Sequence, residues 1–200
     1  MLIVAREFPK DTTTPNYASP WAGAHYRPIP ITSPETAIAA SQARRSYAQF
    51  KQIAANEPAA GVKLIDGIEY LEASQPEYAD EAIIKDTYAH VDGFRKLSPS
   101  ELPDGVNWAV RYETVVINPP VYCACLLRKF VLRGGHTKAY TLVNLKEAFR
   151  MAGNVKSVVN CTGVGFGDPK SFIIRGIIIF SRLFFFFLSS LNCSTLTTWK

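Results

Sequence analysis

The sequence predicts an α/β fold, with helices packed on a sheet that is mostly parallel in the C-terminal half. Three observations predict it. From residue 118 onward the chain reads as helix, strand, short helix, strand and glycine-rich turn in succession. Helix starts made of a capping residue followed by proline stand at Ser33-Pro34 and Asn118-Pro119. Leu2-Ile3-Val4-Ala5 is a short apolar run of the kind that sits inside a buried sheet.

The chain's 200 residues suit one domain or two lobes sharing a core. Chains of this size bury about 70% of the surface they would expose unfolded. The 48% hydrophobic and 20% charged content excludes a disordered or collagen-like polymer. Lys+Arg 22 against Asp+Glu 17 leaves +5, too mild for a nucleic-acid partner to be expected. Cys123, Cys125, Cys161 and Cys193 show neither paired spacing nor a nearby histidine. The close pair Cys123-x-Cys125 lacks C-x2-C spacing and sits in an apolar helical pattern, so it reads as two small buried hydrophobes rather than a redox pair, and the four cysteines read as reduced thiols rather than a disulfide scaffold or a metal site. His25, His90 and His136 are far apart, so no local metal cluster is expected.

Taken in order, Leu2–Ala5 is a strand and residues 9–16 carry loop chemistry. Residues 18–25 are a small-residue run holding one aromatic, Trp21, and Pro28 and Pro30 keep the next stretch extended. Ser33 caps a helix whose apolar face is Ala43, Tyr47, Phe50 and Ala54. Arg44, Arg45 and Lys51 lie off that face and read as a solvated surface. Val62–Ile65 is a strand, and residues 66–103 offer only isolated short elements. Residues 106–112 alternate and Val115-Val116-Ile117 follows, which predicts a strand pair or one long bent strand. A helix from Pro119 carries Tyr122, Leu126, Leu127 and Phe130 and stops at Gly134-Gly135. Lys138–Leu142 is a strand, Asn144 caps a short helix, and Val155–Cys161 is a strand entering Gly163-Val164-Gly165-Phe166-Gly167.

In parallel sheets ligands sit at the carboxyl ends of strands. Two such ends attract attention: Arg6 after the first strand, and Thr162 with the glycine run after Cys161. The G-x-G-x-G spacing departs from the dinucleotide fingerprint, and a turn needing positive φ explains those glycines equally well. In residues 18–25, Ser19 can donate to a phosphate and the small neighbours admit a ligand to the backbone.

Three blocks together carry a resemblance. Residues 5–11 with 18–24, residues 112–123, and residues 158–165 with Ile174-Arg175-Gly176 resemble the fungal D-amino-acid oxidases of the FAD-dependent oxidoreductase superfamily, with D-aspartate oxidase as the sister family. The resemblance covers roughly residues 2–176. It implies a partial FAD-binding Rossmann-like domain with an interleaved antiparallel-sheet substrate-domain segment. It implies FAD as cofactor, with Arg6 near the adenosine or pyrophosphate. Ala18, Ser19, Gly23, Ala24 and His25 would line pyrophosphate and flavin, Leu142 would offer backbone contacts to adenine, and Thr162 would sit by ribose or phosphates. His25 departs from the Asn or bulky residue usual there. The implied activity is oxidative deamination of D-amino acids to 2-oxo acids, ammonia and hydrogen peroxide. Substrate and O2 are the implied partners, a homodimer the implied assembly, and peroxisome or cytoplasm the implied location. No residue matches the family's glycine fingerprint or its carboxylate-binding arginine, so no catalytic residue is assigned.

Two further expectations concern the ends. A core strand starting at Leu2 leads us to expect chain upstream of Met1. Residues 177–200, with Ile177-Ile178-Ile179-Phe180 and the run Phe184–Phe187, read as an unrelated hydrophobic tail from translated non-coding sequence or a frame change. Arg175 and Arg182 break the apolar stretch short of the roughly 20 residues a spanning helix needs. Three readings follow: a flavoenzyme of this family, a non-catalytic remnant of one, and a membrane-tethered interaction protein using the tail.

Overall fold

A computed structural model describes residues 1–9 and 17–163 in full, and the backbone of residues 177–180, 185–188 and 195–198. In chain order its strands and α-helices are β1 (Leu2–Ala5), β2 (Ala24–His25), α1 (Pro34–Asn56), β3 (Val62–Leu71), α2 (Glu81–Tyr88), β4 (Arg95–Lys96), β5 (Trp108–Ile117), α3 (Pro119–Leu132), β6 (His136–Ala139), β7 (Ile177–Phe180), β8 (Phe185–Leu188) and β9 (Thr195–Thr198). They fall into two compact units. Unit 1 is Met1–Ala22 with Pro119–Arg175, and unit 2 is Gly23–Asn118 with Gly176–Lys200.

Unit 2 is built on an antiparallel ladder. β3 and β5 pair along their whole lengths, from Val62 opposite Ile117 to Leu71 opposite Trp108. The free side of β5 takes β2 near its end (Ala24 opposite Ile117) and β4 further back (Lys96 opposite Val110). β9 adds to the other edge of β3, while β7 and β8 form a separate two-stranded ladder. The residues expected as a strand pair or one bent strand are one strand. Residues 66–71, expected among isolated elements, extend β3 instead. The polar Asp66 is accommodated because the Arg111 guanidinium of β5 donates to its carboxylate at 2.6 Å.

α1 begins where the Ser-Pro pair predicts. Ser33 Oγ accepts from the Thr36 N–H at 3.2 Å, and Thr36 Oγ1 accepts from the Ser33 N–H at 2.8 Å, a reciprocal cap. Its inner face buries Ala40 and Tyr47, and the Tyr47 ring stacks on Tyr26 at 4.5 Å. Arg44 and Lys51 do more than face solvent. Arg44 binds the Asp86 carboxylate of α2 at 2.8 Å, and Lys51 reaches Asp92 at 2.5 Å and Glu113 of β5 at 3.0 Å. α2 starts at Asp80, whose side chain accepts from the Ala82 and Ile83 N–H groups at 2.8 and 3.2 Å.

Unit 1 has fewer strands and helices among its described residues. β1 and β6 pair in parallel, Leu2 opposite His136 and Ala5 opposite Ala139. β6 begins two residues before the expected Lys138, because the His136 N–H already donates to the Met1 carbonyl at 3.0 Å. α3 ends as predicted at Gly134, whose φ of +82° only glycine adopts freely, and Gly135 N–H returns to the Phe130 carbonyl at 3.0 Å. Asn144 caps a short 3₁₀ turn, Leu145–Arg150, through a 3.3 Å bond from the Glu147 N–H. The strand expected over Val155–Cys161 does not form. A strand exists through its ladder, and among the described residues no neighbouring strand takes up these backbone groups. The prediction of a mostly parallel sheet therefore reduces, among the described residues, to the single β1–β6 pair. Gly163 has φ +68°, with open space where a Cβ would stand, so turn geometry accounts for it. The rest of the glycine run and Arg175-Gly176 lie outside the described residues.

The interior is unevenly shared. Among the described residues every buried side chain belongs to unit 2, including Tyr47, Tyr88, Trp108, Val110 and Tyr112. In unit 1, α3 buries none of its residues, and Leu126, Val131 and Leu132 are exposed. Ser33→Ala is expected to lower the stability of the chain by about 1 kcal/mol by removing the cap on α1. Urea denaturation followed by circular dichroism checks it, and an unchanged midpoint would show that the cap contributes nothing.

Candidate functional site

The sequence-predicted residues fall on both units. In unit 1 the parallel pairing of β1 and β6 sets Arg6 and Leu142 just past the same, carboxyl end of the pair. Tyr140 N–H donating to the Ala5 carbonyl at 2.9 Å closes that end. Arg6 is exposed and its Nε lies 3.4 Å from Glu7 Oε1. Glu7 itself went unnoticed in the sequence. Its Oε2 is buried and has no hydrogen-bond partner among the described residues, so an acceptor awaits a donor beside the strand end.

Ala18 and Ser19 open the 3₁₀ turn Ser19–Trp21, which lies against α3. The Ala18 carbonyl accepts from the N–H groups of Trp21 and Ala22 at 3.0 and 3.1 Å. Both residues are exposed, and the Ser19 hydroxyl has no hydrogen bond among the described residues. Thr162 is exposed in irregular chain. Its Oγ1 donates to Asn160 Oδ1 at 2.7 Å, so the hydroxyl is already engaged in a local turn.

In unit 2, Gly23 precedes β2, which places Ala24 opposite Ile117 and His25 opposite Val116. Ala24 and His25 line a cavity of about 720 Å³ together with Arg27, Thr36, Phe50 and Tyr78. That volume suits a small organic ligand. Glu77 and Arg27 are the charged residues on the wall. Arg27 forms an ion pair with Glu69, a β3 carboxylate only 2% exposed, and donates to the Tyr78 hydroxyl at 3.0 Å. Burial alone would push the guanidinium pKa down, but the Glu69 carboxylate more than reverses this, so Arg27 stays charged. Desolvation, reinforced by Arg27, lowers the His25 pKa and favours the neutral imidazole.

A polar cluster lies beneath the cavity. The Tyr88 and Tyr112 hydroxyls both approach Glu69 Oε2 at 3.4 Å, and burial pushes both phenols up. The Tyr26 hydroxyl bonds His90 Nε2, and burial raises Tyr26 to about 12. Arg27, Glu69 and Tyr78 were given no role from the sequence, and His90 entered there only as a histidine too isolated to build a metal cluster. The available signal was phase: Glu69 alternates with the buried Gly67 and Leu71 on β3, on the side that turns inward.

No family model matches the chain. Curated proteins do. The chain is 43% identical to the D-aspartate oxidase of Talaromyces thermophilus, over 88% of this chain and 48% of that protein. It is 34% identical to the D-amino-acid oxidase of Rubrobacter xylanophilus, over 88% of this chain and 50% of that protein. The chain is a homologue of the D-amino-acid oxidases and D-aspartate oxidase. It spans about half the length of the curated relatives it matches. The D-amino-acid oxidase of Schizosaccharomyces pombe aligns over a similar stretch at 26% identity. The oxidoreductase ancestry inferred from the three sequence blocks thus stands, and the described residues hold no helix long and apolar enough to cross a membrane.

Two predictions follow from these contacts. His90 faces Tyr26, Tyr47, Arg44 and Asp86, and its pKa is lowered, chiefly by desolvation. Below pH 6.5, its ordinary value, the unfolded chain binds more protons at this site than the folded one. Stability therefore falls as pH drops through that point. Urea midpoints at about pH 7.5 and 5.5 should show the loss, and His90→Gln should reduce it, leaving the share that His25, lowered by the same desolvation, contributes. Arg27→Met leaves the Glu69 carboxylate buried without its cation. Losses of about 3–5 kcal/mol are usual for a fully buried pair, and about 2 is expected here because the Arg27 side chain is 38% exposed. A midpoint within error of the parent would show that the pair contributes nothing.

Proposed function

We propose that the chain is a portion of an FAD-dependent oxidase acting on D-amino acids, with unit 1 holding the adenosine diphosphate end of the cofactor. The observation that carries this reading is the carboxyl end of the β1–β6 pair, in a homologue of the D-amino-acid oxidases. The residues there fit the group. Arg6 offers an exposed cation for a phosphate, Glu7 beside it brings a carboxylate whose covered Oε2 would have to be uncovered to meet a ribose hydroxyl, and half-buried Leu142 follows β6 where an adenine edge would lie. Ser19 adds a hydroxyl donor without a competing partner among the described residues, whereas Thr162 would first have to release Asn160. Gly23, Ala24 and His25 supply small residues and a neutral imidazole for the flavin side.

When bound, FAD supplies hydride acceptance from the substrate α-carbon and reoxidation by O2 to peroxide. The residues of this chain bind and orient. The 720 Å³ cavity is lined by Arg27, which Glu69 already neutralises, and by Glu77, so it admits a small polar molecule without favouring an anion. The same reading carries a peroxisomal or cytoplasmic location and a homodimer.

A second reading is supported by the burial pattern: the 200-residue chain alone binds FAD loosely and does not turn over. Unit 1 buries none of its described side chains, so its cofactor residues are poorly preorganised. Nor does any residue match the family's carboxylate-binding arginine.

The purified chain is expected to elute colourless from gel filtration yet to quench flavin fluorescence saturably when FAD is added. ADP should compete, and Glu7→Gln or Arg6→Ala should weaken binding at least about fivefold. FAD titration with no saturation removes the cofactor assignment. With excess FAD no peroxide is expected from D-aspartate or D-alanine; peroxide release would show that the chain is catalytically complete.

A further inference from the structure

His90 sits in a cluster of unit 2 to which the cofactor reading gives no part. It follows α2 in a turn closed by the Ala89 and Val91 N–H groups, which donate to the carbonyls of Asp86 and Tyr88 at 3.3 and 3.2 Å. The ring is half-buried and edge-on to Tyr26 and Tyr47, with centroids 5.7 and 5.9 Å away. Its Nε2 bonds the Tyr26 hydroxyl, and its Nδ1 is buried without a partner.

Tyr26 also lines the cavity of about 720 Å³. Its backbone is fixed on both sides: the N–H donates to the Val115 carbonyl at 2.9 Å, and the carbonyl accepts from the Thr114 hydroxyl at 2.6 Å. Its ring leans on Tyr47, whose own hydroxyl donates to the Glu113 carbonyl at 3.1 Å. At the hydroxyl end, among the described residues, Tyr26 is held by His90 alone.

The cluster suits a neutral imidazole and opposes a charged one. An imidazolium carries N–H on both nitrogens. Nδ1–H would then be a buried donor without an acceptor, and Nε2 could no longer accept from the Tyr26 hydroxyl. Burial and the Arg44 guanidinium of α1 act against the charge, whereas the Asp86 carboxylate of α2 favours it. Tyr26 and Tyr47 offer no countercharge, because burial pushes both phenols up. Lys51, Asp92 and Glu113, beyond Tyr47, are paired with one another. Asp86 stands four residues before His90, is exposed, and already binds Arg44 at 2.8 Å.

We propose that His90 is a pH-operated latch on the cavity wall. The neutral ring holds the Tyr26 hydroxyl. The ring that has taken a proton from solvent leaves the two tyrosines for the Asp86 carboxylate, which it shares with Arg44, and Tyr26 is released. The released ring binds its proton more tightly than the held one, so falling pH populates the released state. Between the pKa of the held ring and that of the released ring, the released-to-held ratio rises up to about tenfold per pH unit. The latch does not depend on the cofactor reading.

Hydrogen exchange on the full chain at about pH 7.5 and 5.5, with each rate divided by the intrinsic rate at that pH, tests it. The amides of residues 24–27 should lose protection about tenfold at the lower pH, while those of β3 keep theirs. His90→Gln, checked for folding by circular dichroism, should abolish the step, because a glutamine carbonyl can accept from Tyr26 without titrating. His25→Gln should retain the step, and Asp86→Asn should move it to lower pH. Equal protection at both pH values, a loss shared equally by β3, or a step that survives His90→Gln overturns the latch. If His90→Gln does not fold, Asp86→Asn decides, and an unmoved step overturns it.

Discussion

The ladder between β3 and β5 is the constraint on which the rest of unit 2 hangs. Its register runs unbroken from Val62 and Ile117 to Leu71 and Trp108. A slip of one residue would turn Glu69 outward and Asp66 inward, exchanging a carboxylate that has Arg27 for one that is solvated. The same register decides what the other edge of β5 carries. At one end it holds β2, and with it Ala24 and His25; further back it holds β4, and with it Lys96. The cavity lined by Ala24 and His25 is thus a consequence of one strand pairing.

A polar network fills the interior beside that ladder. Arg27, Tyr88 and Tyr112 converge on Glu69, and Tyr26 meets His90 beneath α1. Such groups are expensive to bury singly and stable only together, because each supplies the partner another lacks. The network holds Arg27 charged at the wall of the cavity, which links the packing of the unit to the ligand chemistry available there.

Unit 1 follows different physics. Among the described residues it has a two-stranded parallel pair and one α-helix, which offer little apolar surface for mutual burial, and parallel strands normally stand inside larger sheets covered on both faces. None of the described unit 1 side chains is fully buried, and those proposed for the nucleotide are exposed or half-buried. The relatives are about twice as long as this chain. The residues proposed for the cofactor are held by few packed neighbours among the described residues, which is the physical ground for expecting weak binding.

Local chemistry was readable from the residues alone. Ser33-Pro34 and Asn118-Pro119 announced helices, Gly134-Gly135 a stop and Leu2–Ala5 a strand, because capping, proline and glycine act within one turn of chain. The family, too, was legible in short blocks of sequence. Long-range pairing was not. Val155–Cys161 has the composition of a strand but lacks a ladder among the described residues, while residues 66–71, with Asp66 and Glu69, look unlike a core strand and are one because β5 lies alongside. Arg27, Glu69 and His90 became visible only when segments distant in sequence met, since a charge is tolerated inside a protein by virtue of its partner, and the identity of that partner is a property of the fold.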